Sequence, residues 1–568
     1  MSDKTLSRTD RVRLNSPVRL GVVAVATCFV SLPVLSNPVN PTVVNGTASF
    51  NQAGNVLTVT NSNGAIINWD KFSIKAGETT HFAQTSASSS VLNRVLTNDP
   101  TTIYGTLSSN GRVWLVNPAG IMVGAGGRVD VAGFVASTLN INNADFLAGR
   151  NLFAHDGTAQ NVINQGEIKT PSGGSVYLIG ANVSNDGIIH TPAGETILAA
   201  GQTVSLIDSA TPGVKVDITG AAGNATNLGQ ITAEAGRIGI AGVIVRNSGG
   251  LNASSLVSDG GRIFLKASGD TLVEGGKLAA TSIGGKGGQV DVLGDRVAVM
   301  NDVQIDVSGT TGGGRIRVGG DYQGRNPDIQ NASITYFGKD AMLKADATEV
   351  GDGGTVIVWA DEVTRAYGKI SAMGGATGGD GGFIETSGHL YLDVAEIRVD
   401  AGATNGAAGT WLLDPDNITI VGSSGSDNNI SGGGSPFTHT VAASSTLTST
   451  TINSTLGSTN VSILASNDIL FDGSTNGAIF IDNPSASPNS LTLNAGNDII
   501  FSSGTTTFQN SGGGDFAVNF NPASARNVTI AAGATAAFLG DGGLVAATVT
   551  GIGSKTWENY GTVNLDGN

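Results

Sequence analysis

Gly260-Gly261-Arg262-Ile263-Phe264-Leu265 is followed by Gly287-Gly288-Gln289-Val290-Asp291-Val292, then by Gly313-Gly314-Arg315-Ile316-Arg317-Val318 and Gly353-Gly354-Thr355-Val356-Ile357-Val358. An earlier copy stands at Gly173-Gly174-Ser175-Val176-Tyr177-Leu178. In each copy a glycine pair precedes a short run with alternating apolar side chains. A turn demanding positive φ, then a strand, makes one corner and one edge of a solenoid coil.

The copies give a period. Asn164-Gln165-Gly166-Glu167-Ile168 is echoed 21 residues later by Asn185-Asp186-Gly187-Ile188-Ile189. Asn227-Leu228-Gly229-Gln230-Ile231 is echoed 20 residues later by Asn247-Ser248-Gly249-Gly250-Leu251. That length holds three short strands and three turns, which is the coil of a parallel β-helix with apolar side chains stacked inward. Asn and Gly suit the corners because both tolerate the left-handed region and Asn bonds its own backbone. Stacked Asn ladders are open to such in-register coils. If the whole remainder were solenoid, it would make roughly 25 coils at about 4.8 Å each.

Composition agrees. Of 568 residues 83 are Gly, 13% are charged and 40% are hydrophobic. The chain is too apolar for a disordered tail and too poor in Lys, Glu and Leu for a helical protein. The reading is all-β, with no helices expected. Past Leu412 the texture shifts to Ser, Thr, Asn and Gly. Two strand units persist there, 461–471 and 491–501, thirty residues apart. They predict a looser β-solenoid, with a low-complexity stalk as the competing reading.

The N-terminus reads as a secretory signal. Lys4, Arg8, Arg11, Arg13 and Arg19 lead an apolar stretch over residues 20–35, broken by Pro33, with cleavage expected between Ser36 and Asn37. About sixteen residues with a proline is short for a spanning helix, so no stable transmembrane segment is expected. Cys28, the single cysteine, lies in this leader. The rest must hold itself together without disulfides. The net charge is −15; the leader carries five basic and two acidic residues, so the remainder is near −18. An acidic surface argues against nucleic acid as a partner.

The strongest signature lies in residues 37–300. Ile67-Asn68-Trp69-Asp70-Lys71-Phe72-Ser73-Ile74 and Val91-Leu92-Asn93-Arg94-Val95 precede Ile103-Tyr104-Gly105-Thr106-Leu107. Then come Gly111-Arg112-Val113-Trp114-Leu115-Val116-Asn117-Pro118-Ala119-Gly120-Ile121 and Val129-Asp130-Val131-Ala132-Gly133-Phe134-Val135-Ala136-Ser137-Thr138. This resembles the secretion domain of two-partner secretion exoproteins, the filamentous haemagglutinin group, also known as the haemagglutination activity domain. Those proteins carry Asn-Pro-Asn-Gly-Ile where this chain has Asn117-Pro118-Ala119-Gly120-Ile121. A shorter Asn-rich motif precedes it, matched best here by Asn61-Ser62-Asn63-Gly64. Ala119 departs from the pattern; Pro118 still presets a turn and Gly120 still admits positive φ, so the turn should survive. Residues 381–389 and 411–415 also look like segments of such exoproteins.

The resemblance implies a right-handed parallel β-helix with N-terminal capping strands. It implies recognition by an outer-membrane β-barrel transporter with periplasmic POTRA domains, export unfolded, and a fibrous adhesin behind the secretion domain. The expected organisation is a signal at 1–36, a secretion domain at 37–300, β-helix repeats at 301–415, and a Ser/Thr/Asn/Gly-rich solenoid or stalk at 416–568. The expected location is outside a Gram-negative cell, in the medium or on its surface, with a host-cell or surface glycan or protein as receptor. A C-terminal membrane barrel is not expected.

Signals for other chemistry are weak. His81, His155, His190, His389 and His439 share no zinc spacing. No Gly-x-Ser-x-Gly stands at a strand-to-helix elbow with His and Asp partners. Gly284-Gly285-Lys286-Gly287-Gly288 lacks the Lys-Ser or Lys-Thr of a phosphate loop. Gly378-Gly379-Asp380-Gly381-Gly382 does not supply a regular calcium repeat. No cofactor, metal or catalytic residue is expected. The alternative is a β-helix protein that binds or degrades polysaccharide, which for cleavage needs paired carboxylates on one face. The Asn-Asp pairs at 467–468 and 497–498 recur with the solenoid and read as corners.

Overall fold

The alternating runs after each glycine pair form strands whose inward residues stack coil upon coil. In a computed structural model, Val176, Thr196, Ile238, Ile263, Val290, Ile316, Val356, Ile384 and Trp411 are successive register partners in parallel strands. All nine are fully buried. Each aliphatic member contributes on the order of 1.5–3 kcal/mol of transfer free energy. The structure describes residues 37–568, except 156, 158, 210–212, 428–429, 432–434, 439, 442–443, 475, 524–525, 541–543, 550–556, 561 and 567–568. The expected leader, with Cys28 and Ser36, lies outside the described residues.

Three long sheets of 18, 11 and 14 strands line the solenoid. The chain visits them in turn, as in Arg112–Val116, Ile121–Val123 and Arg128–Asp130, before returning to the first sheet at Gly133–Ser137. This is the expected parallel β-helix. The capping strands are present as well: Thr42–Asn45 pairs antiparallel with Ala65–Trp69, and Ala48–Ala53 with Val56–Asn61. With the antiparallel cap set aside, the 18 strands of the first sheet leave 17 stacked rungs among the described residues. That is fewer than the roughly 25 coils expected. The spacing of the glycine pairs lengthens to 26–28 residues after Gly260, and to 40 from Gly313 to Gly353; there loops at the corner before the first sheet stack through extra bridges at Ser255, Ser282, Gly309 and Ala347.

The glycine pairs have a different cause from the one expected. Gly173 has φ +80, but both glycines of the later pairs lie outside the left-handed region. Crowding fixes them instead. A Cβ on Gly261, Gly288, Gly314 or Gly354 would fall 2.0–2.2 Å from a glycine carbonyl oxygen of the neighbouring coil. The corner is a column of touching backbones.

Among the described residues two short α-helices stand within the otherwise all-β fold, where none was expected. α1 (Asn143–Leu147) belongs to an insert on the outer face of the first sheet. With it go three antiparallel strands, Asn151–Ala154, Thr203–Ser209 and Gly213–Thr219. They cover outward side chains of the rungs, building a second apolar core of Ile66, Leu92, Val135, Ile197, Phe146, Phe153 and Leu206 among others. Trp114 packs edge-on against Phe146 at 5.3 Å and stacks on Phe153 at 5.9 Å. α2 (Ser449–Leu456) forms one side of a coil. Its Ile452 and Leu456 point into the solenoid core, and Thr448 caps it by accepting a bond from the Thr451 amide.

Beyond residue 412 the strands keep stacking. Asn460–Ala465, Asn489–Ala495, Phe516–Pro522 and Val545–Val549 continue the first sheet. Phe471 stacks on Phe501 at 4.6 Å and Phe508 on Phe538 at 5.2 Å. The Asn-Asp pairs are corners, as read: the Asn497 amide donates to the Asn467 carbonyl, and the Asp498 amide to the Asp468 carboxylate.

Candidate secretion motif

The first candidate turn closes the corner between the first and second sheets. Asn117 follows Arg112–Val116, and Ile121 opens Ile121–Val123. Asn117 is fully buried, and its side chain spends every bond inward. Nδ2 donates to the Asp99 carbonyl and to Thr101 Oγ1, each at 2.9 Å, and Oδ1 accepts from the Ala119 amide at 3.0 Å. The last bond is an Asx turn, reinforced by the Gly120 amide donating to the Asn117 carbonyl at 3.1 Å. Gly120 has φ +118, and its carbonyl accepts from the Thr101 amide. Ile121 enters the core at 2% exposure. Ala119 sits on the half-buried outer side of the turn, and the corner closes through the Asn117 and Gly120 bonds with no side-chain bond from position 119.

Residues whose part in this corner was not read from the sequence complete it. The Gln160 amide donates to the Pro118 carbonyl, Thr138 Oγ1 to the Gln160 carbonyl, and the Asn117 amide to the Ser137 carbonyl. The run 134–138 thus packs directly on the motif. No sequence signal pointed to Asp99, Thr101 or Gln160, because their contacts cross one coil.

The second candidate turn lies elsewhere. Residues 61–64 join Val56–Asn61 to Ala65–Trp69, at the opposite edge of the first sheet and two rungs earlier. Asn61 is buried, with Nδ2 donating to the Ser62 carbonyl at 2.9 Å. Asn63 is exposed, and its Oδ1 accepts from the Ser90 amide at 2.9 Å. Gly64 has φ +74; its amide donates to the Ser90 carbonyl and its carbonyl accepts from Asn45 Nδ2. The two motifs are separate corners. The structure does not bring them into one site.

Three other features hold this region. Buried Asn93 accepts from Trp69 Nε1 at 3.0 Å and donates to the Trp114 carbonyl at 3.2 Å, tying three rungs. Arg94 reaches across to α1, donating to Asn143 Oδ1 and the Ile141 carbonyl; burial lowers its pKa. At the corner between the second and third sheets, Asn164, Asn185, Asn227 and Asn247 form one buried ladder with Nδ2-to-Oδ1 bonds of 2.7, 2.8 and 2.8 Å. The 42-residue step from Asn185 to Asn227 is the coil that carries the outer-face hairpin. Asn37 is buried, accepting from Thr80 Oγ1 and donating to the Asn55 carbonyl. Among the described residues no group of three or more His, Cys, Asp or Glu is placed to hold a metal ion, and no helix is long and apolar enough to cross a membrane.

A capped parallel β-helix with an Asn-Pro-x-Gly-Ile corner on its third rung defines the secretion domain of two-partner secretion exoproteins. Residues 36–280 match the TPS secretion domain family, and the chain belongs to it. The chain is similar to the HMW1 secretion domain from Haemophilus influenzae, known from its crystal structure, with a TM-score of 0.60 and 35% identity over 66% of this chain and 99% of that one. Among curated relatives, a heme/hemopexin-binding protein of Haemophilus influenzae strain KW20 / Rd is 31% identical over 169 residues. A second Haemophilus influenzae heme/hemopexin-binding protein is 34% identical over 80 residues. These matches cover 25% and 14% of this chain, and only 19% and 9% of the relatives' own lengths.

Proposed function

We propose that this chain is an exoprotein carried across a Gram-negative outer membrane by a partner β-barrel transporter with POTRA domains. Residues 37–300 act as the export module. The solenoid behind them acts in adhesion or surface attachment, against a glycan or protein receptor. The leader at 1–36 brings the chain to the periplasm and is removed before Asn37. The observation that carries the reading is the closed corner at Asn117, standing in a domain similar to the HMW1 secretion domain over nearly all of that domain's length. The segments shared with the heme/hemopexin-binding proteins are short, so they support a common export module and not a common ligand.

The physics supports the route. Without cysteine after residue 28, no disulfide locks the chain before it crosses the pore. An extended segment adds to a sheet edge of the transporter through main-chain bonds, with side chains giving selectivity. Solenoid folding propagates from coil to neighbouring coil once nucleated, so coils formed outside bias the direction of travel. Because Asn117 is fully buried once the corner closes, any direct reading of its side chain takes place before folding. The test is Asn117→Ala in the full chain, expressed with the partner transporter. The variant is expected in the periplasm, while the purified chain keeps its β spectrum. Normal export of the variant would refute the role.

A further inference from the structure

Residues 319–331 leave the solenoid after Arg315–Val318 and return before Ile334–Phe337. They stretch the Gly313-to-Gly353 coil to 40 residues, against 26–28 in its neighbours. The insert crosses the outward face of the first sheet along the axis. At its root Asp321 accepts bonds from Arg315 and from Arg317 Nη1 at 2.9 Å, while Arg317 Nε holds Asp291 one rung back at 2.7 Å. Further on, Tyr322 packs edge-on to Phe383 at 5.7 Å, and Gly320 and Gly324 lie against the Trp359 indole. At the tip one residue spans two rungs: the Gln323 amide donates to both Glu385 oxygens at 3.2 Å, and its Nε2 donates to Asp414 Oδ2 at 3.1 Å.

Two observations mark this strap as a device and not mere cover. Gln323 holds φ +51, a conformation that non-glycine residues avoid unless their surroundings impose it. In that conformation Gln323 bonds to a pair of carboxyl groups, Glu385 fully buried and Asp414 at 7% exposure. The groups facing Glu385 are Asp414, Asp321, Ser387 and Gln323. Those facing Asp414 are His389, Arg325, Asp416 and Gln323. Glu385 thus meets two further acids, while Asp414 meets Arg325 and His389 beside Asp416.

We propose that the 319–331 strap is a pH-set clip, shut over Glu385 and Asp414 while they carry protons and released as they ionise. Desolvation raises both groups, Glu385 to about 8 and Asp414 to about 6, against the opposing pull of the Gln323 bonds. The closed state therefore binds more protons than the open one. Its advantage is complete below the ordinary carboxyl range and is lost as pH rises through about 6 and then about 8. Ionising both would set like charges together in a site of low dielectric.

Trp359 reports the strap. The test is a fluorescence titration of the full chain from pH 5 to pH 9, with Trp359→Phe subtracted, beside hydrogen exchange of the 320–325 amides corrected for intrinsic rate. The clip predicts a red shift of the Trp359 signal, and at least tenfold faster strap exchange, between pH 6 and pH 9. Glu385→Gln combined with Asp414→Asn keeps the amide donors' partners and removes the protons, so the transition should vanish with the strap shut at pH 9. Asp321→Asn, which loosens the anchor, should open the strap already at pH 5. No transition in the wild type, an unchanged one in the double variant, or an unmoved strap in Asp321→Asn overturns the proposal. If the double variant does not fold, the wild-type titration and Asp321→Asn decide.

Discussion

Replacing Asn227 by Ala cuts the Asn ladder in its middle. Two buried bonds are lost: the one Asn185 donates to Asn227 and the one Asn227 donates to Asn247, both 2.8 Å. Asn185 Nδ2 is left with its 3.4 Å approach to the Gly187 carbonyl, and Asn247 Oδ1 loses its donor, both in residues with no exposed surface. At about 1–1.5 kcal/mol per bond, and more where a buried partner is orphaned, the change costs about 2–4 kcal/mol. Asn185→Ala also breaks two ladder bonds. The two variants share the bond between them, so the double variant loses three bonds, not four. Its cost should fall short of the sum of the singles by about 1 kcal/mol. The assay is native-state hydrogen exchange at the Leu228 and Gly229 amides, which both donate to the Asn185 carbonyl. Local exchange suits a solenoid better than a single global midpoint, because coils open semi-independently. Strictly additive single and double effects, or singles below about 0.5 kcal/mol, would refute the ladder as a holding element.

Other outcomes follow from the same geometry. Gly288→Ala should destabilise its coil by at least the ~1–3 kcal/mol of an overpacked site, since its Cβ would meet a backbone oxygen at 2.0 Å; Gly173→Ala, with open space but φ +80, should cost only the ~1–2 kcal/mol of backbone strain, and local exchange of the two corners separates the cases. Arg317→Ala takes from buried Asp291 and Asp321 the cation they share, while Arg262 and Arg315 still pair with them, so the cost by denaturant melting of that region should fall below the ~3–5 kcal/mol of a buried charge left unpaired. Burial alone would raise Asp321, but the Asn326 side chain, the Tyr322 amide, Arg315 and Arg317 hold it down at about 2. Its carboxylate therefore stabilises the strap root above pH 4, and that support should fade in an acid titration as pH drops toward about 2, a loss absent in Asp321→Asn. N-terminal sequencing of the exported chain should begin at Asn37.

The inward columns were legible where period two is clear, as in Arg315–Val318, and less so in Glu195–Ala200 and Thr355–Ala360, whose outward positions are apolar or buried as well. The glycine pairs were legible as corners, but their reason was not: close approach between coils is invisible until the coils are stacked. The outer-face insert escaped notice because Thr203–Ser209 and Gly213–Thr219 alternate just as the rungs do, and their antiparallel partner Asn151–Ala154 lies fifty residues back. α1 is five residues long, too short to leave a helical period. α2 is built from Ser, Thr and Asn, poor helix formers, and owes its form to burying Ile452 and Leu456. At the candidate site the motif residues could be found by resemblance, while their setting could not. Asn117 proved to be a buried clasp on Asp99 and Thr101, and the upstream motif a separate corner at the sheet's other edge.

Export itself is the most direct check. The amount of chain in the culture medium should be measured with and without the partner transporter, for the intact chain and for one lacking residues 37–300. The account predicts release only for the intact chain and only with the transporter present; release of the shortened chain, or of the intact chain without the transporter, would contradict it.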